Sequence, residues 1–238
     1  MAPFFVIVGG MGTIATTQFL SVMNERFHPK KDQDYLDYVL VNAASIPDRT
    51  AYILDHEQEN PLESLAKIIH FYDQLHPSFF VLPCNTAHYF IKNLQAETSC
   101  PIVNMLELVH RELKENKSYH HKKIGILATE GTVKMGLYDP VFDETKAKLV
   151  YPNQALQEKI TSFIYEDIKA KDDLNVKKFS ALIDAFKAIG CEAVLAGCTE
   201  ISFAHFALKK VSFSLPILDA EDLLIEETIK LGRKTQNK

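Results

Sequence analysis

The sequence is poor in cysteine, and its cysteines are widely spaced. Four occur in 238 residues: Cys84, Cys100, Cys191 and Cys198. No pair has the C-x-x-C spacing from which zinc sites are commonly built, and four cysteines in a chain of this length are too few for a disulfide scaffold. We therefore expect neither a metal site nor a disulfide framework.

Long apolar runs, clustered positive charge and low-complexity segments are also missing. No stretch approaches the roughly 20 apolar residues of a membrane span, and the short N-terminal run FFVIV, with no positive residues before it, predicts a first strand and not a signal peptide. The net charge of -5 is spread along the chain, without the basic patch that would indicate a nucleic-acid partner. We expect a cytoplasmic protein with no membrane or nucleic-acid partner.

What the sequence does contain is an alternation of short β-rich runs with helical patterns. The strand-like runs are Phe4–Val8, Tyr38–Asn42, Phe79–Leu82, Ile102–Asn104, Lys123–Ala128, Ala147–Tyr151, Ala193–Ala196 and Pro216–Leu218. Helical patterns include Pro61–Gln74, Gln154–Ala170 and Leu174–Ile189, with Asn60 and Asn153 as N-caps of the first two. This alternation predicts the α/β class, with βαβ units and parallel sheets covered by helices.

Two segments, one in each half of the chain, have the same form. In VLPCNTAH (Val81–His88) and VLAGCTEIS (Val194–Ser202), an apolar strand and a small residue lead to a cysteine, a nearby threonine and a group able to carry a proton. In open parallel sheets, ligands bind beyond the carboxyl ends of the strands. We therefore predict two similar α/β domains related by a pseudo-twofold axis, with both thiols in the cleft between them.

The chemistry of such cysteines allows three interpretations. A thiol at a helix N-terminus is expected to have a pKa below its ordinary value of about 8.5. Cys84 alone, with His88 as its partner, would be a nucleophile for acyl transfer. Two equivalent thiols instead suit stereoinversion, in which one removes a proton from a carbon and the other returns a proton to the opposite face. Two buried core cysteines fit the spacing equally well, and core filling is what we expect of Cys100 and Cys191.

The two cysteine segments resemble the signatures of the aspartate/glutamate racemase superfamily, which works without pyridoxal phosphate. Four further motifs are similar to those of its aspartate racemase branch: GGMG (Gly9–Gly12), PDRT (Pro47–Thr50), ATEGT (Ala128–Thr132) and IYEDIK (Ile164–Lys169). Several independent motifs occur in the expected order, and the resemblance spans nearly the whole chain.

The resemblance implies a role for each matched residue. Cys84 and Cys198 would be the catalytic acid–base pair, Cys84 serving the D-enantiomer and Cys198 the L-enantiomer. The substrate-binding residues would be Met11, Arg49, Asn85, Thr86, Ala87, Thr132, Lys169, Thr199 and Glu200. Asn85, Thr86 and Ala87 would hold the α-carboxylate, while Arg49 would bind the second carboxylate together with a lysine on the second-half helix.

Other interpretations of these polar residues remain open on sequence grounds. Arg49 could be a solvated loop arginine and Lys169 an ordinary helix-face lysine. Glu200 could orient Cys198, accept the substrate ammonium or simply complement a helix dipole. His88 could hydrogen-bond near the site or be structural, and Asp219 is expected to support the loops.

The resemblance predicts an amino-acid racemase acting on aspartate, an isomerase without cofactor, with a small acidic amino acid as its partner molecule and a homodimer as its assembly. The expected domains are residues 1–100 with 214–238, carrying Cys84, and residues 101–213, carrying Cys198. The alternatives are a glutamate or broad-specificity racemase, a hydantoin racemase, a maleate isomerase or an arylmalonate decarboxylase. A cysteine hydrolase and a non-catalytic amino-acid-binding protein are the alternatives from other classes.

Overall fold

The computed structural model describes residues 3–170 and 174–236. The chain divides into two compact units. The second unit is the continuous segment Leu106–Glu221, and the first comprises the chain up to Met105 together with the segment from Asp222 onward. Each unit is built around one parallel sheet, so the predicted fold class, two similar α/β domains, is confirmed.

The first unit contains a four-stranded sheet in the order β2-β1-β3-β4. Its strands are β1 (Phe5–Gly9), β2 (Tyr38–Asn42), β3 (Phe80–Val81) and β4 (Ile102–Val103), all paired in parallel. Its helices are α1 (Thr13–Phe27), α2 (Arg49–Leu54), α3 (Pro61–Asp73) and α4 (Ile91–Ala96), with 3-10 turns at Asp32–Asp34 and Thr86–Phe90.

The second unit contains a sheet in the order β6-β5-β7-β8. Its strands are β5 (Lys123–Leu127), β6 (Lys148–Val150), β7 (Ala193–Ala196) and β8 (Ile217–Asp219), again all parallel. Its helices are α6 (Glu130–Lys134), α7 (Asp139–Asp143), α8 (Gln154–Ser162), α9 (Val176–Ala188) and α10 (Thr199–Ala207). A 3-10 turn covers Lys117–Tyr119, and a π-helical segment, Phe163–Lys169, continues α8.

The remaining helices, α5 (Met105–Glu115) and α11 (Ala220–Gln236), begin at the two boundaries between the units. The sequence places those boundaries after residues 100 and 213, whereas the structure places both further along the chain. The reason is strand pairing: β4 pairs with β3 in the first sheet, and β8 pairs with β7 in the second. Each boundary therefore follows the last strand of a sheet.

The helix starts follow from the sequence. Asn60 accepts a hydrogen bond from the Leu62 N–H at 2.9 Å, and Asn153 accepts one from Leu156 at 2.9 Å, so both predicted N-caps are confirmed. On α3, Leu65 and Ile69 are fully buried against the sheet. The apolar stripe of this helix thus serves the core of its own unit.

Each sheet is the centre of its own hydrophobic core. Strands β1 and β7 are buried along their whole length, as expected where helices cover both faces of a parallel sheet. Across residues 3–170 and 174–236, no helix is both long and apolar enough to cross a membrane.

Candidate functional site

The cysteine of the first unit lies just beyond the carboxyl end of β3. Two residues, Leu82 and Pro83, separate the strand from Cys84, whose side chain is 4 % exposed. The three residues after it are also buried, and they form the start of the 3-10 turn that leads into α4. The strand-to-helix transition predicted for this segment is confirmed, and it groups the cysteine with an amide, a hydroxyl and several backbone N–H groups.

His88 supports the loop that carries Cys84 through two contacts with the backbone. Its Nδ1 lies 2.9 Å from the carbonyl oxygen of Cys84, and its Nε2 lies 3.1 Å from the backbone nitrogen of Met105. The Met105 N–H can only donate, so Nε2 accepts and the ring proton sits on Nδ1, which donates to Cys84. His88 is therefore a fully buried support for the cysteine loop, with both ring nitrogens occupied by backbone groups.

Arg49 is the first residue of α2 and is buried, which excludes the solvated loop arginine. Its guanidinium donates to the carbonyl oxygens of Ile46 at 3.2 Å, Pro47 at 3.0 Å and Met11 at 3.1 Å. Met11 follows β1 and is also buried. The structure thus brings two of the predicted binding residues into contact at the carboxyl edge of the first sheet.

In the second unit, Cys198 occupies the position equivalent to Cys84, beyond the carboxyl end of β7. It is the N-cap of α10 in extended conformation, and Thr199 and Glu200 form the first turn of that helix. All three residues are at most 4 % exposed. The glycine before Cys198 donates its N–H to the carbonyl of Leu127 at 2.9 Å, which fixes the cysteine beside the end of β5.

The side chains around Cys198 form a connected polar group. The Cys198 thiol donates to Glu200 Oε2 at 3.0 Å, and the Thr199 hydroxyl donates to the same oxygen at 3.3 Å. Lys169 Nζ lies 3.7 Å from Glu200 Oε1 and 4.4 Å from the centre of the Tyr165 ring. Lys169 is therefore more than a helix-face lysine, because it is the ion-pair partner of a buried carboxylate.

The sequence-based expectation of a lowered thiol pKa is wrong for Cys198. Burial and the neighbouring Glu200 carboxylate raise the pKa of the Cys198 thiol well above its ordinary value, although Lys169 acts in the opposite direction. The helix N-terminus favours the thiolate, but removal from water and an adjacent anion outweigh it.

Thr132 lies in α6, near the end of β5, and is fully buried. Its backbone N–H donates to the hydroxyl of Thr129 at 3.3 Å, and the two hydroxyls are 3.1 Å apart. Thr129 is the N-cap of α6. Thr129 is not among the predicted site residues, although threonine is a preferred N-cap and the residues after it form a helix.

Two residues from other elements, Asp219 and Tyr138, lie near Cys198. Asp219, at the end of β8, accepts hydrogen bonds from Ser202 at 2.6 Å and from His205 at 2.8 Å, which gives it the supporting role predicted for it. Tyr138 is fully buried, and its pKa is raised by burial and by the nearby Asp219 and Cys198. Tyr138 is not among the predicted site residues, because nothing in its local sequence pattern indicates that it lies near Cys198.

Cys100 and Cys191 are buried in the cores, as predicted. The Cys100 thiol donates to the Pro77 carbonyl at 3.0 Å, and burial together with Asp73 raises its pKa to about 11. All four cysteines are free thiols. Within the residues that the structure describes, no group of three or more His, Cys, Asp or Glu side chains is placed to hold a metal ion.

Comparison with known proteins agrees with this architecture. The structure superposes on the aspartate racemase of Picrophilus torridus with a TM-score of 0.82, 24 % identity and full coverage of both chains. It superposes on an aspartate racemase homologue from Pyrococcus horikoshii with a TM-score of 0.72 and 19 % identity, over 97 % of this chain and 99 % of that one. At these identities the likeness establishes the fold.

The sequence gives the same placement. It is 21 % identical over 235 residues to the broad-specificity amino-acid racemase RacX of Bacillus subtilis, covering 94 % of this chain and 95 % of the relative. The Asp/Glu/hydantoin racemase family model matches residues 8–228, which include both cysteine loops. The chain belongs to the Asp/Glu/hydantoin racemase family.

Proposed function

We propose that this protein is a cofactor-independent racemase that interconverts L- and D-aspartate, with Cys84 and Cys198 as its two acid–base groups. The observation that carries the proposal is the equivalence of the two cysteines. The sheets have the same strand order, and each cysteine follows the corresponding strand, β3 or β7, at the start of a helical turn. A pair of thiols, one on each sheet, suits a reaction in which one group removes a proton from a carbon and the other returns a proton to its opposite face.

The proposed reaction moves one proton at each thiol. The thiolate of one cysteine takes the α-proton, and the electron pair of the broken C–H bond delocalises into the α-carboxylate. The thiol of the other cysteine then gives its proton to the opposite face of the carbon. The first cysteine ends as a thiol and the second as a thiolate, which is the arrangement that starts the reverse reaction.

The α-carboxylate would be held by the loops that carry the cysteines. Asn85, Thr86 and Ala87 offer an amide, a hydroxyl and backbone N–H groups where a helical turn begins, an environment that favours anions. Thr199 in the first turn of α10 and Thr132 in α6 offer further donors from the second unit.

The choice of aspartate rests on two cations. A dicarboxylic substrate needs a counter-charge for its second carboxylate, and Arg49 and Lys169 belong to PDRT and IYEDIK, two of the four motifs that resemble the aspartate racemase branch. Arg49 is fixed by three carbonyl contacts, and Lys169 is held by Glu200, so both charges are preorganised.

The proposal predicts that deuterium enters the α-carbon of L- and D-aspartate in heavy water without added cofactor. A proton NMR time course measures the loss of the α-proton signal, and polarimetry measures the approach to the racemate. We expect Cys84→Ser and Cys198→Ser each to lower the rate of racemisation by about 10²-fold or more, because a hydroxyl is a much weaker acid than a thiol.

Cys100→Ser is the matched control. It changes a buried thiol whose serine replacement can still donate to Pro77, and it should leave the rate unchanged. Full activity in either catalytic variant would overturn the two-thiol mechanism. Exchange with glutamate but not aspartate would move the substrate assignment within the family, and tight aspartate binding without any exchange would identify an amino-acid-binding protein.

A further inference from the structure

The contacts of Glu200 indicate the protonation states of the Glu200 carboxyl group and the Cys198 thiol. Glu200 is 3 % exposed, and all three of its side-chain neighbours described above are donors: the Cys198 thiol, the Thr199 hydroxyl and the Lys169 ammonium. Of these groups, only the Lys169 ammonium must donate, because a thiol and a hydroxyl can also accept, and its positive charge favours the ionised form of Glu200. An ionised carboxylate accepts from all three groups, which leaves the thiol proton on Cys198.

Lys169 makes this buried charge tolerable. An isolated buried carboxylate is costly, and an ammonium close to it offsets part of that cost. Lys169 reaches Glu200 from the last residue of the π-helical segment, a rare geometry that often occurs at functional sites. The Tyr165 ring, four residues earlier on the same segment, holds the Lys169 side chain through a cation–π contact.

We propose that Glu200 is a positioning residue that keeps the proton on Cys198, with Lys169 as its counter-charge, so that Cys198 enters the reaction as the proton donor. Only the role of Cys198 as a proton donor in catalysis rests on the proposed function. The protonation state itself is a property of three side chains within the second unit. A thiolate at Cys198 would lie about 3 Å from the Glu200 carboxylate, so Glu200 opposes thiolate formation and Lys169 favours it.

The other titratable groups near Cys198 do not change this assignment. Tyr138 is fully buried, and its pKa is raised, so it stays neutral. The Asp219 carboxylate lies against Ser202 and His205, whose hydrogen bonds orient both of its oxygens. The groups that set the charge at the sulfur are thus Glu200 on α10 and Lys169 on the π-helical segment.

The test is the titration of the Cys198 thiol in the full-length protein without substrate. The probe is iodoacetamide, which reacts with the thiolate, and the readout is alkylation of the Cys198 peptide measured by mass spectrometry across a pH range on both sides of about 8.5. We expect Glu200→Gln to lower the pH of half-maximal reaction by about one unit or more, a tenfold gain in thiolate at a given pH. Lys169→Met should shift it upward.

Opposite shifts in the two variants are the signature of charge coupling, since loss of structure would move both in the same direction. Lys178→Met is the matched control, because Lys178 pairs at 2.8 Å with Asp167 on the same π-helical segment, and it should leave the midpoint unchanged. The Cys100 peptide in each sample reports any general opening of the protein. Should Glu200→Gln fail to fold, Glu200→Asp retains the charge and should keep the midpoint close to that of the unmodified protein.

A rise of the midpoint in Glu200→Gln, or shifts of the same sign in Glu200→Gln and Lys169→Met, would overturn the inference. The outcome is independent of catalysis. If the titration behaves as expected but aspartate is neither racemised nor exchanged, the proposed function fails while the Cys198–Glu200–Lys169 group stands.

Discussion

His88 shows how one residue can support a site without taking part in its chemistry. Its four-residue distance from Cys84 is compatible with a catalytic partner, and the sequence left this question open. In the structure the N–H of Met105 donates a hydrogen bond to His88 Nε2, so the second ring nitrogen is engaged by the backbone and His88 is a supporting residue. The Met105 contact spans 17 positions of the chain, so no local pattern reveals it.

This geometry predicts that His88→Phe destabilises the protein by about 1–3 kcal/mol, because the Cys84 carbonyl and the Met105 N–H each lose a buried partner. Phenylalanine keeps an aromatic ring but cannot form either hydrogen bond, and its larger ring adds a packing cost to the measured loss. Urea unfolding followed by circular dichroism measures the loss. His70→Phe, at an exposed position on α3, is the control and should change the free energy of unfolding very little. An unchanged midpoint for His88→Phe would refute the supporting role.

At the scale of elements, the sequence predicted each of the eight strands that the described residues form, and the two N-caps at Asn60 and Asn153. It did so because buried parallel strands are short, continuous apolar runs. Asparagine before a helical pattern is also a preferred N-cap, because its side-chain oxygen accepts a hydrogen bond from a backbone N–H of the first turn. What it could not predict is the π-helical segment within Gln154–Ala170. Phe163 and Asp167, like Ile164 and Ile168, are four residues apart and buried, and this spacing fits an ordinary α-helix equally well.

The π-helical segment matters for the candidate site because Lys169 is its last residue. The motif placed it on a helix, but its partner Glu200 is a carboxylate 31 positions further along the chain, on α10. Charge pairs between distant elements are set by packing, which the periodicity of a single element does not describe. For the same reason, the sequence does not predict that Tyr138 lies near Cys198.

Packing of α9 on the second sheet gives an element-scale prediction. A Cβ atom at Gly125, in β5, would lie 2.2 Å from the ring of Phe186 on α9, which is fully buried. Gly125→Ala should therefore cost about 1–3 kcal/mol of stability by overpacking. The check is a double-mutant cycle with Phe186→Leu, whose smaller side chain relieves the contact. We expect the double variant to lose less stability than the sum of the losses in the two single variants. Strict additivity would show that the strand and helix are not in this contact.

At the scale of the whole molecule, the two cysteines reflect two copies of one sheet order, β2-β1-β3-β4 and β6-β5-β7-β8. In the sequence the duplication is visible in VLPCNTAH and VLAGCTEIS, the two segments that carry Cys84 and Cys198. Elsewhere the two halves share a pattern of elements and little else. The expected homodimer remains a prediction, which sedimentation equilibrium can test.

The two units differ in how the chain builds them. The first needs α11, whose Glu226 pairs with Arg26 of α1 at 2.7 Å and whose Gln236 donates to the Tyr35 carbonyl at 2.7 Å. Gly232 of α11 packs so closely on Leu36 that a Cβ there would lie 2.8 Å from that side chain. The first unit is therefore completed only by the last segment of the chain.

The second unit is continuous, and this difference predicts the behaviour of fragments. Its four strands and the core cluster around Phe163, Phe179 and Phe186 all lie within Leu106–Glu221, a length typical of an independent domain. We expect fragment 106–221 to fold alone and to unfold cooperatively in urea, whereas fragment 1–105, which lacks α11, should not. Circular dichroism and the sharpness of the urea transition measure both. Addition of a peptide spanning 220–238 should restore structure to fragment 1–105, and a non-cooperative 106–221 would mean that its core depends on the rest of the chain.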